Sequence, residues 1–258
     1  MDPLDMAWLL LAGLAAGAVN AIAGGGSLIT FPTLVAVGLP PVAANVTNSI
    51  AVAPGYAASV FGSRRELMEL AEVRGRRVLL ALLPTAVAGT VAGCVLLLAT
   101  PARAFEVVVP FLVLAAAATL AWSDRLRRAV GHPREMSPRR RTVSLHATVG
   151  LGAVYGGYFG AALGVMSLAA LGLVLDEGLA RLNALKNAIS AVVGAVTVVA
   201  FALFGPVDWR AVTVLAPATL IGGYVGARLA RRLPAPMLRA AIVTIGTAVA
   251  VVLFLRAL

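Results

Sequence analysis

The sequence predicts an all-α polytopic membrane protein made of two homologous halves, an inverted repeat with broken or short helices. Three observations predict it. Hydrophobic residues make up 60% of the chain and charged residues 12%, with a mean hydropathy of +0.96, whereas a soluble domain carries about 25% charged residues. Apolar runs recur along the whole of the 258 residues and leave no stretch for a soluble domain. An ordered set of Gly, Pro and Asn recurs across the middle of the chain.

The first apolar segment, residues 6–23, runs into Gly24-Gly25-Gly26-Ser27. Each glycine weakens a helix by roughly 0.8–1.0 kcal/mol relative to Ala. An opened backbone facing lipid leaves N–H and C=O groups unpaired at several kcal/mol each. A break at membrane depth is therefore expected to line a cavity. Further apolar segments follow at 28–38, 41–61, 78–99 and 104–122, then at 143–163, 165–175, 182–204, 211–230 and 237–257. Those at 28–38 and 165–175 are short; at about 1.5 Å per residue they reach roughly halfway across a 30 Å hydrocarbon core. Residues 123–142 carry seven arginines with Pro133 and Pro138. The domain reading is a first repeat of transmembrane helices at 1–122, a basic cytoplasmic linker at 123–142 and a second repeat at 143–258. The opening Met1-Asp2-Pro3-Leu4-Asp5 has no positive n-region, so a cleaved signal peptide is not expected.

Gly13, Gly17, Gly25 and Asn48 recur 139 positions later as Gly152, Gly156, Gly164 and Asn187. Pro84, Gly89, Gly93 and Pro101 recur 133 positions later as Pro217, Gly222, Gly226 and Pro234. Arginine clusters fall at 62–77, at 123–142 and at Arg228, Arg231 and Arg232, and they belong on the cytoplasmic side. Their counterparts in the other half are nearly uncharged: 205–210 holds Asp208 and Arg210, and 95–103 holds Arg103. The bias swaps between halves, as an inverted repeat requires. Five segments per half satisfy it; four per half would strand Arg228, Arg231 and Arg232 outside.

The formal net charge of +10 fits Arg-rich loops against a membrane interface, so no nucleic-acid partner is expected. The single cysteine, Cys94, excludes an intrachain disulfide and a cysteine metal cluster. No HExxH, P-loop or nucleophile-elbow pattern occurs, so neither an enzyme nor an ATP-driven pump is expected, and no cofactor or metal. No carboxylate sits at a clear helix centre; Glu106, His132 and His146 read as interfacial or linker residues.

Of the 21 basic residues, Lys186 is the one lysine, and it lies inside an apolar segment. An ammonium at a helix centre costs about 2.5–3.5 kcal/mol on insertion scales. Asn183, Lys186, Asn187 and Ser190 stand at i, i+3, i+4 and i+7, one face of a helix. That stripe is expected to face the bundle interior and pair with an anion; the competing reading is a lysine snorkelling to the interface. The first half carries a neutral counterpart in Asn45, Thr47, Asn48 and Ser49, which either meets cargo or hydrogen-bonds across helices. Broken helices at Gly24, Gly25 and Gly26 and at 155–164 would aim positive helix ends at the same site. Gly13, Gly17 and Gly156 read better as close-packing positions. The candidate substrate-binding set is Lys186, Asn187, Asn183, Asn48, Asn20, Gly24, Gly25 and Gly26, with Tyr155 and Tyr158 read as bundle aromatics.

The run Asn20-Ala-Ile-Ala-Gly-Gly-Gly-Ser-Leu-Ile-Thr-Phe-Pro32, with Gly38-Leu-Pro-Pro41 and Asn45-Val-Thr-Asn48, resembles the sulfite exporter TauE/SafE family of permeases. Tyr155-Gly-Gly-Tyr-Phe-Gly160 and Leu182-Asn-Ala-Leu-Lys-Asn187 are similar to the family's second motif, although Ala161-Ala162-Leu163-Gly164 replaces a full triple glycine there. The resemblance implies a membrane permease for sulfur-containing anions such as sulfite or sulfonates. The expectation is a secondary transporter of small anions in a bacterial inner membrane, working by alternating access around a midplane site between the repeats. Its partners would be the small anionic substrate and the lipid bilayer, with a homo-oligomer left open. The alternatives are a passive anion channel and a non-transporting scaffold.

Overall fold

The computed structural model describes residues 2–22, 25–122, 125, 137–229, 240, 243–244, 247–248, 250–251 and 254. Among the described residues the chain is helical, without strands. The helices are α1 (Pro3–Ile22), α2 (Ser27–Ala36), α3 (Pro41–Gly62), α4 (Arg64–Arg74) and α5 (Arg76–Ala99). They continue as α6 (Ala102–Ala121), α7 (Pro138–Tyr158), α8 (Leu163–Val174), α9 (Leu179–Phe204) and α10 (Trp209–Leu229). Four of them, α1, α5, α6 and α9, are long and apolar enough to cross a membrane, while α2 and α8 are short apolar helices. Large apolar side chains such as Trp8, Leu11, Leu151, Val199 and Phe204 face outward, as a lipid-contacting surface requires.

Local sequence sets the boundaries. Pro41 sits at the first position of α3, where its missing N–H costs nothing. Pro138 does the same for α7, and Ser137 Oγ caps it by accepting from Arg140 N. The helix therefore takes in Arg139, Arg140 and Arg141 and starts ahead of the apolar pattern at 143. Most of the expected linker, 123–124 and 126–136, lies outside the described residues, as do most of the last apolar segment and Gly24. The helix α4 is an addition to the sequence reading, which took 62–77 as a basic loop. Leu67, Leu70 and Ala71 form an i, i+3, i+4 stripe there, and Leu70 is fully buried.

Both expected breaks are present. Gly25 takes φ +116° ahead of α2, and Gly160 takes φ +72° ahead of α8. The missing glycines of the second motif do not prevent the break, because Ala162 itself adopts φ +56° at the cap of α8. A left-handed alanine costs roughly 1–2 kcal/mol.

The most extensive helix contacts are α1 with α10 and α5 with α7. Both pairs close on backbone. A methyl added at Gly17 would lie 2.1 Å from the Thr219 carbonyl oxygen, and one at Gly222 would lie 2.2 Å from that of Leu14. In the other pair, Gly93 would meet the Val154 oxygen at 2.2 Å and Gly157 the Thr90 oxygen at 2.3 Å. Between these pairs run α3 and α9, packed antiparallel. Asn187, early in α9, bonds Ser59 late in α3 and Ser63 just past its end; beyond the end of α9, the Asp208 amide donates to Thr47 Oγ1 near the start of α3. Phe31 of α2 meets Phe159 of the second break edge-on, ring centroids 5.4 Å apart, so the two breaks share one core.

Candidate functional site

A cleft of about 550 Å³ opens between α1, α3, α9 and α10. Its polar lining includes Asn20, Ser59, Ser63, Asn183 and Asn187 and one carboxylate, that of Glu66. Asn20, Ser59 and Asn187 also line a small inner cavity of about 30 Å³, room for about one water. Around this inner cavity stand Gly25 and Ser27 of the first break, Gly160, Ala162 and Gly164 of the second, Tyr56 of α3, and Lys186 and Ser190 of α9. Residues of the two breaks and the lone lysine thus line one small cavity.

Positive groups meet at the inner cavity. The N-terminal ends of α2 and α8 both reach it, each equivalent to roughly half an elementary charge. Lys186 Nζ lies 3.8 Å from the place a Gly164 methyl would occupy, in the first turn of α8. A larger residue at 164 would press on the ammonium. Among the described residues no carboxylate lines this cavity. The hydroxyls of Ser27, Ser190 and Tyr56 line it and make no hydrogen bond among the described residues, although Ser27 and Ser190 are 5% and 2% exposed. Buried polar groups are normally paired, so these are donors available to a guest.

The asparagines divide between the cavity and the scaffold. Asn20 Oδ1 accepts from the amides of Gly25 at 3.1 Å and Gly26 at 2.7 Å, capping α2 from the helix before it. Two of the amides offered to an anion by the sequence reading are therefore satisfied internally. Asn48 lies beside the inner cavity, with Ser27 and Ser49 in a separate pocket of about 20 Å³, and accepts from Thr30 Oγ1 of α2. Asn45 Nδ2 donates to the carbonyl of Tyr158, the last residue of α7, at 2.8 Å. Asn187 Nδ2 donates to Ser63 Oγ at 3.1 Å. Asn183 lines the cleft and makes no side-chain hydrogen bond among the described residues. Tyr155 donates to the Ala161 carbonyl at 2.7 Å and Tyr158 packs on Phe105, so both tyrosines hold the second break together.

Tyr56 is the site residue that the sequence reading passes over. Asn45, Ser49, Val52, Tyr56, Ser59 and Ser63 follow one face of α3, so extending the stripe of Asn45 by two more turns would have reached it. Outside the residues that line the cleft, Arg74 Nε pairs with Glu177 at 2.6 Å and Arg181 bridges Glu177 and Glu69 at 3.2 and 3.8 Å. These ion pairs fasten α4 to the corner between α8 and α9.

The profile of the sulfite exporter TauE/SafE family matches residues 9–253. A probable membrane transporter protein of a Sinorhizobium species, ORF9, is 30% identical over 253 residues, covering 95% of this chain and 91% of its own. The probable membrane transporter protein YfcA of Escherichia coli K12 is 28% identical, covering 90% of this chain and 82% of its own. A probable membrane transporter protein of Haemophilus influenzae is 27% identical, covering 87% and 84%. No solved structure matches the chain. The chain belongs to the sulfite exporter TauE/SafE family and is a multi-pass membrane transporter.

Proposed function

We propose that the protein is a secondary carrier of small anions, sulfur oxyanions such as sulfite or sulfonates, in a bacterial inner membrane. The observation that carries this reading is the meeting of Lys186 with the N-terminal ends of α2 and α8 around the small inner cavity beside the larger cleft. An ammonium and two positive helix ends around one cavity attract the same kind of guest, a small anion. Lys186 supplies the charge, and Asn187, Ser27, Ser190 and Tyr56 supply neutral donors. Asn183 receives the anion in the cleft, while Asn20, Asn48, Gly25 and Gly26 set the shape of the break.

An oxyanion of four or more heavy atoms is larger than the inner cavity, so binding must draw the breaks apart or swing the lysine. That favours a carrier that rearranges around its cargo over an open channel. The two halves act as an inverted repeat. Two observations support this: α3 and its sequence counterpart α9 run antiparallel, and the Gly222–Leu14 approach has its repeat equivalent in Gly89–Ala153. Rocking the halves about α3 and α9 would expose the site to each side in turn.

The test is flux of sulfite, thiosulfate, sulfonates and carboxylates into vesicles holding the purified protein. Saturable sulfur-anion flux is expected. Lys186→Met should abolish it while leaving expression and folding intact, and unchanged flux would remove Lys186 from the site. Equal handling of every anion offered would overturn the substrate class.

A further inference from the structure

On the face of α9 away from Lys186 lies a second cleft, of about 590 Å³, bounded by α4, α5 and α9. Its walls are apolar: Met68 and Ala71 from α4, Leu80 and Leu83 from α5, Leu185 and Ile189 from α9. Its rim carries two charged residues, Glu72 and Arg76. Both are exposed, and neither makes an ion pair or side-chain hydrogen bond among the described residues.

The position of this cleft in a bilayer follows from α4. That helix has 11 residues, about 16 Å, and carries Arg64, Arg65, Glu66, Glu69, Glu72 and Arg74. So many charges cannot lie in hydrocarbon. The helix therefore rests at the interface with its apolar stripe inward. From that level the cleft follows α5 from Arg76 to Ala86, about 15 Å, the depth of one leaflet. Charge at the interface and apolar wall below it is the layout of a single phospholipid. An apolar groove open to lipid has no reason to fill with water.

We propose that this groove binds an aminophospholipid. Its phosphate pairs with Arg76, its primary ammonium with Glu72, and one acyl chain lies against Leu80, Leu83, Leu185 and Ile189. The opposite charges on the rim select a headgroup bearing both signs. A carboxylate accepts hydrogen bonds from a primary ammonium but none from the quaternary ammonium of choline. Leu185 and Ile189 stand on either side of Lys186 and Asn187 in sequence, so the lipid supports the helix that carries the site. The proposal does not depend on the identity of the transported anion.

Native mass spectrometry of the full-length protein in detergent, titrated with phosphatidylethanolamine, phosphatidylcholine or phosphatidylglycerol, tests it. Phosphatidylethanolamine should bind about fivefold more tightly than either of the others, the worth of roughly one interfacial charge contact. Glu72→Gln should erase its advantage over phosphatidylcholine, and Arg76→Gln should weaken all three lipids about fivefold. Ala71→Trp should fill the groove and displace the lipid, whereas Leu96→Trp, exposed farther along α5, should not. If Ala71→Trp fails to fold, Leu80→Gln, which puts an amide in the acyl path at a half-exposed position, should weaken all three lipids. Equal binding of the three lipids to the native protein, or binding untouched by the groove variants, would overturn the proposal.

Discussion

Asn20 shows how one side chain can serve a site without presenting itself to the cargo. Its oxygen accepts from two amides at the first break, Gly25 and Gly26, both in buried positions. Asn20→Ala leaves those donors without their partner, which costs about 1–2 kcal/mol and should lower the unfolding temperature in detergent. Asn20→Asp keeps the acceptor and adds a negative charge at the positive end of α2, so stability should be retained. The same charge beside Lys186 opposes an anion, so flux should fall. A stable, inactive aspartate variant with an unstable alanine variant would separate capping from cargo binding. Unchanged stability of Asn20→Ala would remove the cap from the account. Lys186 was legible in the sequence because one ammonium in an apolar helix demands a reason. Asn45 and Asn48 were legible as polar, but their partners were not: Tyr158 O lies 113 residues from Asn45 along the chain, and nothing local encodes that contact. Tyr56 escaped because an aromatic residue in a membrane helix raises no suspicion without its phase.

At the scale of elements, glycines decide which helices touch. The approaches at Gly17 and Gly93 are to backbone oxygens, at 2.1 and 2.2 Å from a methyl that is absent. Backbone cannot rotate away as a side chain can. Gly17→Ala and Gly93→Ala should each force α1 from α10 or α5 from α7, at about 1–3 kcal/mol or more. Gly55 offers the contrast, because a methyl there meets nothing within 4 Å. Gly55→Ala should gain roughly 0.8–1.0 kcal/mol of helix propensity while narrowing both cavities it lines. The expected pattern in thermal unfolding is two losses and one gain, and a loss of stability in Gly55→Ala would break it. The small-xxx-small spacing of Gly13 and Gly17 pointed to such contacts, though not to the partner helix. The position of α4 was recoverable from Leu67, Leu70 and Ala71, but arginine content alone concealed it.

At the scale of the molecule, the open question is whether the halves are opposed in the membrane. The antiparallel pair α3 and α9 puts residues 63–66 at one end and 205–208 at the other, because Ser63 bonds Asn187 while Thr47 bonds the Asp208 amide. Thr47 and Ser63 are 16 residues apart along the chain, about 24 Å of helix, most of a hydrocarbon core. The arginine bias that swaps between halves predicts an opposed arrangement by a separate route, since loop charge reports which side a segment stays on. Cys94 is buried, so it should stay silent towards an impermeant maleimide and leave a clean background. Arg65, with its side chain 87% exposed, and Arg210, also exposed, are the positions to probe. Arg65→Cys should label only from the cytoplasmic side in intact cells and inverted vesicles, and Arg210→Cys only from the other. Labelling of both from one face would show that α3 and α9 do not span as an opposed pair. A carrier rocking about them would then be untenable, whatever anion it moves.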